Sequence, residues 1–63
     1  MSINKIVNLD LTTIDGNAFA LMGAFRRAAS NQGWANNEIK KVLTECQSGD
    51  YDNLVSTLMQ YCR

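Results

Sequence analysis

The sequence contains no histidine and no proline, only two cysteines and one tryptophan, and no excess of either charge, with six Lys+Arg against six Asp+Glu in 63 residues. Each absence removes a class of function. Without His, a nucleophilic thiol lacks its usual neighbouring base. A structural zinc site would need two carboxylates beside the two thiolates, or four thiolates shared by two chains, so no metal is expected. Zero net charge withholds the electrostatic attraction that supplies most non-specific affinity for nucleic acid, which argues against a nucleic-acid partner. No apolar run reaches the roughly 18 residues that a membrane span requires. Asn4, Asn8 and Asp10 interrupt any apolar stretch behind Met1 that would pose as a signal peptide. A cytoplasmic protein is expected, without membrane attachment, cofactor or enzymatic activity.

What is present suits one domain spanning residues 1–63, with an ordinary apolar fraction of 46%. A chain this short buries only about 60% of its unfolded surface. Such folds usually draw extra stability from disulfides, a metal or self-association.

Lys5-Ile6-Val7-Asn8-Leu9-Asp10-Leu11 alternates with period two, Val7, Leu9 and Leu11 on one side, and extending it back to Ile3 predicts a strand over about residues 3–11. Asp15-Gly16 is a turn dipeptide. Three helices then follow. The first covers Asn17 to Asn31, with apolar residues at 18, 21, 22, 25, 28 and 29, a cap at Asp15 or Asn17, and a stop at Gly33. Its small residues Ala20, Gly23 and Ala24 make it the expected central element, with Phe19 to the side of the stripe. Trp34 and Ile39 have the spacing of a hydrophobic staple around a second helix at about 36–47. Glu38 sits at the third helical position, but Ala35 lacks the usual hydroxyl cap, so either Asn36 caps or half a capping box remains. Asp50 caps a third helix carrying Tyr51, Leu54, Val55, Leu58, Met59 and Cys62 on one stripe. The predicted fold is α+β, in the order β-α-α-α.

A lone strand leaves both edges without hydrogen-bond partners. The expected solution is a homodimer in which Val7, Leu9 and Leu11 lie on the first helix while the strand pairs antiparallel with its copy. The alternative is an extended arm packed on its own helices.

Cys46 and Cys62 lie near opposite ends of an expected antiparallel helix pair, about 16 Å apart at 1.5 Å per residue, too far for a disulfide. Two buried, free thiols are expected. The Asp15-Gly16-Asn17 junction, at a helix N-terminus, and the pair Arg26-Arg27 are candidate anion ligands, joined across a subunit interface if they act together. Their commoner reading is a capped turn and a solvated basic face. Trp34, with Lys40 and Lys41 nearby, is a candidate partner-binding anchor, although its staple position explains it equally well. The second and third helices could be drawn as a helix-turn-helix. The third, however, exposes Asp52, Asn53, Ser56, Thr57 and Gln60 and carries no cation before Arg63, which suits a recognition helix poorly.

The stretches Asn8-Leu9-Asp10-Leu11, Asp15 to Ala29 and Ser48-Gly49-Asp50-Tyr51-Asp52 together resemble a group of short uncharacterised proteins of bacterial, plasmid and phage genomes. The resemblance spans nearly the whole chain and implies an intact domain of mobile-element origin, without an activity. The expected function is a non-enzymatic interaction protein, a regulator or inhibitor that binds a host protein. The alternative is a binder of an anionic, nucleotide-like ligand in a pocket between subunits.

Overall fold

The computed structural model describes residues 5–63, which form a 3-10 turn (Leu11–Thr13) and three helices, α1 (Ala18–Asn31), α2 (Asn36–Cys46) and α3 (Tyr51–Tyr61). Side chains mark where each helix begins. The Asn17 side chain accepts from the Phe19 N–H at 2.8 Å, and Asp50 from the Asn53 N–H at 3.0 Å. Ahead of α2 only half the capping box exists: Ala35 offers no side-chain cap, and the Glu38 carboxylate accepts from the Ala35 N–H at 2.9 Å. Gly33, at φ 93°, closes α1. That left-handed turn lets the Trp34 N–H reach the Ala29 carbonyl (3.0 Å) and the Gly33 N–H reach Ser30 (3.2 Å), satisfying two end carbonyls.

The core takes Leu21, Phe25 and Ala29 from α1, Ile39, Val42 and Cys46 from α2, and Leu54, Leu58 and Tyr61 from α3. Val7, Trp34 and Cys62 complete it from outside the helices. Trp34 meets Phe25 and Tyr61 edge-on, with ring centroids 5.5 and 6.2 Å apart. This sets the start of α2 against the end of α3. At the opposite end the Asn53 amide donates to the Glu45 carbonyl at 3.0 Å, so α2 and α3 run antiparallel. These two helices, rather than α1 with either, make the closest pair, which corrects the expectation of a central first helix. The stripe of α3 is also rotated from the expected one, since Thr57 and Tyr61 are buried while Tyr51 and Met59 are exposed.

The α+β assignment is overturned: the described residues form an all-helical protein with no strand. Residues 3–4 of the expected strand lie outside the described residues. Leu11 belongs to the 3-10 turn, and residues 5–10 are an arm without strand structure whose partners come from the same chain. The Val7 N–H donates to the Tyr61 carbonyl (2.6 Å), the Arg63 N–H to the Val7 carbonyl (2.9 Å) and the Leu9 N–H to the Arg63 carbonyl (2.7 Å), an isolated parallel bridge. The opposite edge is met by one side chain. The Gln32 carboxamide accepts from the Asn8 N–H (3.0 Å) and donates to the Asn8 carbonyl (3.2 Å), as a neighbouring strand would. Strand pairing with a second copy therefore loses its physical reason at Val7, Leu9 and Leu11. Val7 is fully buried in its own core, and Leu9 and Leu11 are half-buried against it.

Candidate functional site

Helix α1 buries positions 21, 25 and 29, which turns Arg26 and Arg27 to its outer flank. On α2, burial of Ile39 and Val42 does the same for Lys40. The two flanks meet in a groove of about 470 Å³, where the three cations stand among Ser30, Asn31 and Asn36, over Ile39 and Leu43. No carboxylate lines it. Among the described residues the single ion pair is Lys5 with Glu38, at 2.7 Å, so Arg26, Arg27 and Lys40 all lack an acidic partner.

The groove continues. Arg26 and Leu43 also line an adjoining cavity of about 260 Å³ whose other walls are Phe19, Met22 and Gly23 of α1 and Gln47 beyond α2. Phe19 is 82% exposed, the most exposed of the large apolar side chains described. A single channel between α1 and α2 is therefore polar and cationic at one end and largely apolar at the other.

Of the residues expected to bind a ligand or partner, the fold brings together Arg26, Arg27 and Lys40. Lys41 lines a neighbouring hollow with Asn37, Thr44 and Lys40, the last of which it shares with the groove, and its charge helps hold the Glu38 carboxyl below its ordinary range, after the larger effects of the Lys5 ammonium and the Ala35 N–H. Asp15, Gly16 and Asn17 stand apart from the two arginines. The Asn17 side chain occupies the first-turn N–H of Phe19, and the Gly16 carbonyl accepts from the Tyr51 hydroxyl, so the junction starts α1 and ties it to α3. Ten residues, about 15 Å of helix, separate it from Arg26. Trp34 is not a free anchor. At 7% exposure it is a core residue, with the Lys5 ammonium 6.0 Å from its ring. Phe19, Met22 and Leu43 were missed as site residues, although Phe19 standing off the apolar stripe was a signal in the sequence.

Among the described residues no three His, Cys, Asp or Glu side chains cluster to hold a metal. Both cysteines are free and buried. Desolvation pushes each thiol up to about 11, helped by the charge of Glu45 at Cys46 and by Cys46 at Cys62, which leaves neither an effective nucleophile at neutral pH. No described helix is long and apolar enough to cross a membrane. No protein-family profile, curated protein or solved structure matches the chain.

Proposed function

We propose that this protein is a non-enzymatic interaction module that binds an anionic surface of a partner protein through the α1/α2 channel, in the manner of a small mobile-element regulator acting on a host protein. The observation that carries this reading is the convergence of Arg26, Arg27 and Lys40, from two helices, on one groove that contains no carboxylate. Three unneutralised cations side by side repel one another, and an anionic partner relieves that repulsion. The test is capture of host proteins on the immobilised chain, compared with the variant Arg26→Glu/Arg27→Glu, whose exposed substitutions should leave the fold intact. A partner lost by the variant at equal loading supports the reading; identical capture by both chains counts against it.

A second reading, a small anionic ligand in the same groove, draws on Ser30, Asn31 and Asn36, which supply hydrogen-bonding groups beside the cations. Thermal shift against inorganic phosphate and a nucleotide panel separates the two. A rise of several degrees with one compound, absent in the arginine variant, favours the small ligand.

A further inference from the structure

The cationic groove explains an anionic partner, but not Phe19 or Gly23. Phe19 leaves most of a large apolar ring in water beside Met22 and Leu43. Gly23, in the interior of α1, has no heavy atom within 4 Å of where a Cβ would stand, so the fold itself does not require a glycine there. A helix-interior glycine is nonetheless less stable than alanine. Its position is informative, because it forms a notch in the apolar end of the channel, one helical turn from both Phe19 and Arg26. A residue that weakens its helix without serving the packing points to what must approach from outside.

From these features we infer that the channel receives one continuous amphipathic segment of a partner protein. Its apolar side chains sit against Phe19, Met22 and Leu43 with the backbone close over Gly23, and its carboxylates extend to Arg26, Arg27 and Lys40. This rests on the interaction module proposed above and specifies its partner. Charge complementarity selects the occupant: the cations have no acid of their own, and the apolar end has no cover. Phe19 to Asn31 spans about 18 Å of helix, which three turns of a docked helix would match.

The test selects peptides from a displayed random 16-residue library on the full chain and measures the winners by fluorescence anisotropy. Expected winners combine an aromatic or leucine anchor with two or more acids towards one end. Their affinity should fall by about tenfold or more with Phe19→Ala. A similar loss is expected for Arg26→Glu/Arg27→Glu, and only in that variant should the salt dependence flatten. Gly23→Ala is the sharpest arm. It should raise Tm by roughly 2–8 °C and still weaken binding by about fivefold or more, a combination that loss of folding cannot produce.

Binding that depends on the arginines but not on Phe19 or Gly23 would overturn the amphipathic segment while leaving the anionic-partner reading intact. Winners indifferent to the arginines would sink both. Failure to enrich any peptide, tighter binding of a dT20 oligonucleotide, or a self-association of the chain abolished by the same variants would each replace the proposed occupant.

Discussion

Cys46 and Cys62 illustrate how far a single residue can be read. Both lie on apolar positions of the sequence, and burial followed from that alone. The structure adds the chemical consequence, thiols held near 11, well above their ordinary 9.0. Native protein at pH 8 should therefore react with a disulfide reagent at neither cysteine within minutes, and both should titrate at once in denaturant. Two fast native thiols would contradict the packing described. Trp34 is the opposite case. Its staple spacing was legible, yet the same residue also invited reading as an exposed hot spot, because a lone tryptophan looks alike in either role until Phe25 and Tyr61 are seen against it.

At the scale of elements, the three helices were legible and the arm was not. Helix boundaries are set by neighbours along the chain: Asn17, the Ala35/Glu38 pair, Gly33 and Asp50 act within a few residues. The arm's partners are remote, residues 61–63 and the side chain of Gln32, and no local pattern announces them. Period-two alternation placed Val7 inward but predicted a strand that the described residues do not contain, because the pattern cannot distinguish a strand paired in a sheet from an arm held by a single bridge to the chain's own tail. The rotated stripe of α3 has a related cause, since Tyr51 and Met59 satisfy the spacing but stand exposed while Thr57 and Tyr61 are buried. The arm's second edge depends on one amide. Gln32→Ala should cost about 1–2 kcal/mol, the worth of two neutral hydrogen bonds, in urea unfolding. Gln32→Glu keeps one acceptor but turns a carboxylate oxygen towards the Asn8 carbonyl, and should cost at least as much.

For the whole molecule, self-association was expected to supply what a small core lacks, through a strand that the described residues do not form. The arm finds hydrogen-bond partners within its own chain, at Tyr61, Arg63 and Gln32, and the radius of gyration of 10.4 Å is close to the roughly 10.5 Å of a packed single domain this size. Zero net charge likewise conceals an uneven distribution. Arg26, Arg27 and Lys40 share one groove that no carboxylate lines. That convergence arises from folding and could not be read from the sum. Stability as a function of pH should show a plateau with two limbs. Glu38 and Asp10 are held below their ordinary 4.5 and 3.8, Glu38 foremost by Lys5 and Asp10 by the Thr12 hydroxyl, so the unfolded chain takes up protons first. Their contribution is complete above about pH 4.5 and is lost as pH falls through the folded values. The thiols, raised to about 11 from 9.0, contribute fully below pH 9 and lose that contribution as pH rises towards 11. Urea midpoints measured from pH 3 to 11 should be flat between these limits, with the shallower decline on the acid side, where the groups are exposed. A single maximum with no plateau would argue against this assignment.

The ties of the arm join residues far apart in the chain: Val7 to Tyr61 and Arg63, Lys5 to Glu38, Asn8 to Gln32. Loops of that length close slowly, whereas the helices and their short turns form from local contacts. Docking of the arm therefore belongs after the rate-limiting barrier to folding. A substitution such as Gln32→Ala should leave the refolding rate unchanged and express its whole cost as faster unfolding, so the arm governs how long the native state lasts rather than how quickly it is reached.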